Sequence, residues 1–270
     1  MSGIMSGSDN LIINNVIDGV KRITLDDIPR RNALSESMIV QLISSLDQAA
    51  LNPSVRVIVI SSKGSVFCSG HDLKEITNAR EEADHGKAFF TKLMTLCSNL
   101  MQTIVACPKP IIAEVSGLAT AAGCQLVASC DLAYAAEEAK FCTPGVNIGL
   151  FCSTPMVAVS RSISQKNSME MLLTGDMISA DRAEEIGLVN RSTPMKDLEA
   201  TVTLIAKKIA SKSSPTVKIG KKAFYAQKEM DLAKAYEHTS KVMVENLFFE
   251  DAKEGISAFL EKRDPDWNDR

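Results

Sequence analysis

The stretch GLATAAGCQLVASCD, from Gly117 to Asp131, begins with glycine and small residues and continues as an apolar helical pattern. It follows an apolar run over Pro110–Val115, and another run, DLAYAA, begins at Asp131. A strand, a tight turn, a helix and a second strand form the βαβ pattern of an α/β protein with an open, largely parallel sheet. The crossovers are expected to be right-handed.

The chain before this stretch shows the same alternation of strands and helices. Asp18-Gly19 separates two β-type runs and predicts a tight hairpin. Ser35 is the predicted N-cap of an amphipathic helix that extends to about Ala50. The other predicted elements are strands over Leu11–Ile17, Val20–Leu25 and Val55–Ile60, a short helix after Asp72, and a long helix from about Leu93 that ends before Pro108.

From about Ser153 the pattern predicts helices only. These cover Ser179–Gly187, Asp197–Lys212, Thr216–Gln227, Asp231–Glu250 and Ala252–Arg263. We expect this last third to have no sheet to cover, so its apolar faces must be buried elsewhere, and a neighbouring subunit is the candidate. We interpret residues 1–195 as the core and residues 196–270 as a C-terminal helical region of one functional domain.

Composition excludes several classes of function. The 270 residues are 45% hydrophobic, with a formal net charge of −3, so no global basic field attracts nucleic acid or anionic lipid. Apolar runs such as Val55–Ile60 are too short to span a membrane. Residues 1–10 contain no Lys or Arg, and we expect neither a signal peptide nor a basic transit peptide there. The expected location is the cytoplasm, or the mitochondrial matrix if a transit peptide has been removed.

The cysteine pattern predicts reduced, mostly buried thiols. The number of cysteines is odd, the chain is long and no CxxC pair occurs, which disfavours a disulfide framework or a metal site. The seven residues are Cys68, Cys97, Cys107, Cys124, Cys130, Cys142 and Cys152.

Two glycine-containing turns expose backbone amides where a helix is predicted to begin. One is FCSGHDL, Phe67–Leu73, and the other is TAAGC, Thr120–Cys124. Free N–H groups at a helix start favour negative charge, and two of them facing one point would form an oxyanion hole. The alternative is that both are ordinary tight βα turns. The phosphate-binding patterns GxGxxG and GxxxxGK[ST] and the nucleophile pattern GxSxG are absent from the sequence.

These two turns occur within a longer set of motifs. Together with PRRNAL, KPIIAEVSGLATAAGCQLVASCDLAYA, MEMLLTGDMISADRAEEIGLVN and EGISAFLEKR, they resemble the crotonase superfamily of enoyl-CoA hydratases and isomerases. The resemblance covers essentially the whole chain in the same order. It implies a spiral of ββα/βαβ units followed by a C-terminal helical trimerisation region, and a homo-oligomer that is a trimer or hexamer.

The resemblance also implies a ligand and its site. The ligand is an acyl-CoA thioester, bound as substrate rather than as a covalent cofactor. The N–H groups of His71 and Ala122 would hold the thioester oxygen and stabilise its enolate. The residues expected to contact coenzyme A are Arg31, Ala33, His71, Asp72, Leu73, Lys74, Phe259 and Lys262. For Lys74 and Lys262 the alternative is a solvated helix face.

The acid–base groups of a hydratase are missing. Similar hydratases carry two glutamates, at the positions of Gln125 and Gly145. An amide cannot serve as a general base near neutral pH, and glycine has no side chain to do so. Hydratase activity is therefore doubtful, although the groups for binding and enolate stabilisation are expected to be present.

Three mechanisms remain open at this point. One is an enolate-forming enzyme with unidentified acid–base groups. Another is a decarboxylase in which the His71 imidazole interacts with a leaving carboxylate, as the GHD motif of similar decarboxylases suggests. The third is a non-catalytic acyl-CoA-binding or regulatory protein. A structural role for His71, pointing out of the site and capping the next helix, is equally compatible with the sequence.

Other polar side chains have structural interpretations. Asp72 is predicted to cap a helix, with Glu75 completing a capping box. Cys68 and Cys124 are interpreted as buried thiols rather than nucleophiles. The remaining expectations are a sheet-edge carboxylate for Glu114, a helix N-cap for Ser153, and solvated faces for His85 and His238.

Overall fold

The computed structural model describes residues 10–270. The expectation about targeting signals concerns residues 1–9 and lies outside the described residues. The strands are β1 Ile12–Ile17, β2 Val20–Leu25, β3 Val57–Ser62, β4 Val66–Cys68, β5 Ile111–Val115, β6 Leu118–Thr120, β7 Leu132–Ala136, β8 Lys140–Cys142, β9 Ile178–Ser179 and β10 Arg191–Thr193. The helices are α1 Glu36–Leu51, α2 Leu73–Ala79, α3 Lys87–Ala106, α4 Ala122–Ser129, α5 Ser153–Ser162, α6 Gln165–Thr174, α7 Ala180–Glu185, α8 Met195–Ala210, α9 Ser214–Gln227, α10 Leu232–Leu247 and α11 Glu250–Glu261.

The larger sheet has six strands in the order β1-β2-β3-β5-β7-β10. Only β1 and β2 pair antiparallel, and the other neighbours in this sheet are parallel. The predicted hairpin is confirmed: Asp18 and Gly19 both have positive φ, at 51° and 77°, as a two-residue turn of this type requires. The predicted N-cap is also confirmed, because the Ser35 hydroxyl accepts a hydrogen bond from the N–H of Met38.

The smaller sheet has four strands in the order β4-β6-β8-β9. The chain alternates between the two sheets, as in a spiral of βαβ units, and this confirms the predicted α/β class. The expectation of helices only after Ser153 is wrong, because β9 and β10 each add an edge strand to one sheet. These strands have two and three residues, which is too short for a period-2 pattern to appear in the sequence.

The core lies on both faces of the larger sheet. Ile58 and Ile60 of β3 face α1, α3 and α4, whereas Val57 and Val59 face α8. The expectation that the last third has no sheet to cover is therefore wrong for α8, which packs against the back of the sheet. By contrast, α10 contains no buried residue. Among the described residues, no helix is long and apolar enough to cross a bilayer.

Glu114 lies in β5, an interior strand, so the expectation of a sheet-edge carboxylate is wrong. Its carboxylate forms a 2.7 Å ion pair with Arg22 on β2, and Arg22 also donates to Thr203 of α8. The burial of Glu114 raises the pKa of its carboxyl group, although Arg22 opposes the shift. Glu114 therefore joins the sheet to α8 and does not face the two turns of interest.

Candidate functional site

The two glycine-containing turns lie against each other because glycine leaves room for the contact. A Cβ on Gly123 would lie 2.1 Å from the carbonyl oxygen of Cys68, a distance that no side chain can occupy. A Cβ on Gly70 would lie 3.0 Å from the Cβ of Ala121 and 3.3 Å from the backbone nitrogen of Ala122. The end of β4 and the start of α4 are thus in direct backbone contact, as an oxyanion hole built from both turns requires.

The orientation of the Gly70–His71 peptide follows from its hydrogen bonds. The N–H of Leu34 donates to the carbonyl oxygen of Gly70 at 2.7 Å. The described chain has no cis peptide bond, and in a trans peptide the N–H points opposite to the C=O. The N–H of His71 is therefore directed away from Leu34. Within residues 10–270 this amide donates to no protein acceptor.

The second amide belongs to Ala122, the first residue of α4. Its N–H has no acceptor within the helix, because the first turn of an α-helix leaves its donors free. The preceding residue, Ala121, has φ 51° and ψ −116°, a conformation that glycine adopts readily and alanine rarely. This strained residue turns the chain sharply between β6 and α4 and so sets the direction of the Ala122 amide.

The His71 side chain points back to Leu34. Its Nδ1–H donates to the Leu34 carbonyl oxygen at 3.2 Å, a tautomer assigned from the acceptor. Its Nε2 is buried and has no hydrogen-bond partner, the only such side-chain atom in the described part of the chain. Burial lowers the pKa of the imidazole, although the Leu34 carbonyl opposes the shift. At neutral pH, His71 is therefore an uncharged imidazole with its free lone pair on Nε2.

The helix-capping alternative for His71 is wrong, because Asp72 is the cap. The Asp72 carboxylate accepts a hydrogen bond from the N–H of Lys74 at 2.8 Å, as predicted. Glu75 does not complete a capping box and instead accepts from the N–H of Glu36 at the start of α1. Burial raises the pKa of the Glu75 carboxyl group.

Gln125 is 4% exposed and lies one turn into α4, beyond Ala122. Its side-chain oxygen accepts a hydrogen bond from the Cys97 thiol, with 3.8 Å between the heavy atoms. It also lines a cavity of about 820 Å³ between α3, α4, α5 and α9. Neither His71 nor Ala122 lines this cavity, which therefore lies beside the two amides rather than at them.

Gly145, the position of the second missing glutamate, has no room for a side chain. A Cβ there would lie 2.7 Å from the carbonyl oxygen of Leu150 and 3.0 Å from the Cys152 sulfur. The φ of Gly145 is not positive, so packing rather than backbone conformation excludes larger residues. The loop at Leu150–Cys152 fills the space, and no pattern in the sequence predicted this contact.

The predicted coenzyme A contacts fall into two groups. Backbone hydrogen bonds from Ser69 to Arg31 and from Leu34 to Gly70 join the segment of Arg31 and Ala33 to the segment of His71, Asp72, Leu73 and Lys74. Phe259 and Lys262 lie apart at the end of α11, a helix that packs against α10. The Phe259 side chain is 83% exposed, so both remain available to a ligand or a second subunit.

Two further expectations concern cysteine and serine. Cys68 and Cys124 are free and fully buried. Burial raises the pKa of Cys68 to about 12 and raises that of Cys124 as well, so neither is a thiolate at neutral pH. The N-cap expectation for Ser153 is wrong: α5 begins at Ser153, and Cys152 occupies the cap position without a capping side-chain hydrogen bond.

The architecture is the crotonase fold, a spiral of βαβ units with a C-terminal helical region. A family model for enoyl-CoA hydratase/isomerase matches residues 15–270. The chain belongs to this family, and the resemblance inferred from its motifs is confirmed.

Individual relatives agree with this assignment. Enoyl-CoA hydratase domain-containing protein 3, mitochondrial, of Rattus norvegicus is 49% identical over 251 residues, which span 93% of this chain and 82% of the relative. The crystal structure of human enoyl Coenzyme A hydratase domain-containing protein 3 matches with a TM-score of 0.91 at 46% identity, covering 95% of this chain and 100% of that one. Mitochondrial enoyl-CoA hydratase of Pongo abelii is 33% identical over 88% of this chain and 80% of its own length.

Proposed function

We propose that this protein binds an acyl-CoA thioester and stabilises its enolate with the backbone amides of His71 and Ala122. The observation that carries the proposal is the Gly70–His71 peptide. Its carbonyl is held by Leu34, so its N–H points away from Leu34, while Gly70 lies against the Ala122 nitrogen. Fixed donors of this kind stabilise charge that appears on the thioester oxygen only along the reaction path.

The proposed activity is enolate chemistry with weak or no hydration. Hydration needs one group to take a proton from water and another to deliver one to the α-carbon. The amide of Gln125 is not basic enough, and the space beside Gly145 is filled by Leu150 and Cys152. We therefore expect an isomerase-like or otherwise atypical enzyme. A purely acyl-CoA-binding protein would retain the same amides and show no turnover.

The hydrogen bond to Leu34 disfavours the decarboxylase alternative. A leaving carboxylate can only accept hydrogen bonds, so it would need an N–H donor on Nε2 of His71. The Leu34 carbonyl oxygen already accepts a hydrogen bond from Nδ1–H, so the neutral ring has its proton on Nδ1, and a proton on both nitrogens is opposed by the burial that lowers the imidazole pKa. The neutral tautomer that donates to Leu34 therefore has no N–H on Nε2 to offer to a carboxylate.

The location and assembly are also proposals. Five relatives, with identities of 45–49%, carry the word mitochondrial in their names, and we propose the mitochondrial matrix for this chain. We propose a homotrimer or hexamer because α10 and α11 expose large apolar side chains. These include Leu232, Tyr236, Met243, Phe259 and Leu260, together with Phe248 between the two helices, each at least 58% exposed.

The proposal is tested by removing the Ala122 donor. Proline has no N–H and is tolerated at the first position of a helix. We expect Ala122→Pro to weaken the binding of acetoacetyl-CoA, which forms an enolate readily, by about 10²–10³-fold. Free coenzyme A, measured by calorimetry on the same preparation, reports whether the rest of the site is intact. Unchanged acetoacetyl-CoA affinity in a folded variant would show that Ala122 is not an oxyanion donor.

A further inference from the structure

Two hydrogen bonds of opposite direction join the backbone of Leu34 to Gly70 and to the His71 side chain. The Leu34 N–H donates to the Gly70 carbonyl oxygen at 2.7 Å. The Leu34 carbonyl oxygen accepts from Nδ1–H of the His71 imidazole at 3.2 Å. We call this pair of bonds the Leu34 clamp. The first bond holds the carbonyl of the peptide. The second bond holds the side chain of His71, the residue whose backbone N–H is the proposed oxyanion donor.

The peptide needs such a clamp because of the residue before it. Gly70 has φ 85°, and glycine moves between backbone conformations more easily than any other residue. A single hydrogen bond to the Gly70 carbonyl fixes one point and still allows rotation about the bond axis. The bond from the imidazole adds a second fixed point, so the peptide plane, and with it the position of the N–H, is defined. An oxyanion donor acts only when it is already oriented toward the developing charge.

We propose that the His71 imidazole is a positioning residue, which aligns its own backbone N–H by donating Nδ1–H to Leu34. The inference rests on the proposed function of that N–H. The positioning role needs only one ring nitrogen. Consistent with this, Nε2 is buried without a partner and makes no bond that would help to hold the peptide.

The two ring nitrogens can be tested separately with natural side chains. The Asn side-chain nitrogen reaches about as far as Nδ1 of histidine, so Asn can donate to Leu34 and loses only the Nε2 position. The Gln side chain reaches toward the Nε2 position and leaves Leu34 without a donor. His71→Ala removes both. His85→Asn is the matched control, because His85 is exposed and has φ 56°, a conformation that asparagine tolerates well.

The experiment compares the dissociation constants of acetoacetyl-CoA and free coenzyme A for the four variants and the parent protein. We expect His71→Ala and His71→Gln to weaken acetoacetyl-CoA binding by about 10–100-fold, less than the roughly 10²–10³-fold cost of removing a donor outright, and to weaken the binding of free coenzyme A, which has no thioester oxygen, by a smaller factor. His71→Asn should recover most of this loss, and His85→Asn should match the parent. Circular dichroism and the unfolding midpoint confirm that each variant is folded.

The other outcomes overturn the inference. If His71→Gln binds acetoacetyl-CoA better than His71→Asn, the Nε2 position matters and the Leu34 bond does not. If all His71 variants bind it as the parent does, the imidazole has no role in alignment. If the parent itself binds acetoacetyl-CoA no more tightly than free coenzyme A, the proposed function fails as well, and the two failures are thereby distinguished.

Discussion

Replacing Gln125 with glutamate would introduce one of the two carboxylates of a hydratase, and the structure predicts how much stability this substitution costs. The side chain is 4% exposed, and among the described residues its oxygen accepts a hydrogen bond only from the Cys97 thiol. Glu114 is 8% exposed and ion-paired with Arg22, yet burial still raises the pKa of its carboxyl group. In the described part of the chain no cation is bonded to the side chain at position 125, so the pKa of a carboxyl group there should be raised further.

The cost of Gln125→Glu depends on pH in a direction that can be derived. When the pKa of a carboxyl group is higher in the folded protein than in the unfolded chain, ionisation does not reduce the free energy of unfolding at pH values below the unfolded-state pKa of about 4.3. The cost grows through the window between the unfolded and folded pKa values and is complete above the folded one. A shift of about one to three units, moderated by the adjoining cavity, corresponds to about 1.4 to 4 kcal/mol of lost stability at pH 8.

The assay is urea unfolding of the parent and Gln125→Glu from pH 4 to pH 8. The free energy of unfolding of the parent is subtracted from that of the variant at each pH, so the pH dependence of the difference comes only from the new carboxyl group. We expect the two proteins to converge near pH 4 and to separate as pH rises. A difference in stability that stays constant across this range would refute the reasoning, because it would mean that the carboxylate is fully solvated in the folded protein.

Hydration of a short enoyl-CoA, followed by loss of the conjugated thioester absorbance, is measured on the same samples. We expect Gln125→Glu alone to change the rate little, since two proton-transfer groups act together. The sequence suggests that adding Gly145→Glu would raise the rate. The 2.7 Å approach to the Leu150 carbonyl oxygen instead predicts that any residue larger than glycine at position 145 destabilises this loop, by about 1–3 kcal/mol for alanine.

Two further predictions concern packing and assembly. Gly123→Ala should prevent normal folding, because its Cβ would lie 2.1 Å from the Cys68 carbonyl oxygen. The control is Gly220→Ala in α9, whose Cβ would meet nothing within 4 Å and which should leave the melting temperature unchanged or higher. Equal melting temperatures for the two variants would contradict the Gly123–Cys68 contact. Light scattering at micromolar concentration should give the mass of a trimer or hexamer, since α10 buries no residue within one chain, and a 29.2 kDa monomer would exclude the assembly.

The longer elements could be read from the sequence because their signals are local. Val55–Ile60 predicted β3 within two residues, and Ser35 predicted the start of α1, since apolar periodicity and capping depend on neighbours in the chain. The local pattern around Gly117–Asp131 predicted the α/β class for the same reason, whereas the particular fold came from the family resemblance of the longer motifs. The strands β9 and β10 were missed because, with two and three residues, they are too short to show a period-2 pattern.

The candidate site likewise has features that the local sequence predicts and features that depend on tertiary contacts. The sequence by itself determined which residue types are present: two small-residue turns, a histidine after Gly70, and no glutamate at positions 125 and 145. Only the tertiary structure decided what they do. The contact of Gly123 with Cys68 and the bond from His71 to Leu34 join segments that are far apart in the chain, and the space beside Gly145 is filled only because the loop at Leu150–Cys152 packs back against it. Such contacts depend on packing distances of a few ångströms, which no local pattern of residues encodes.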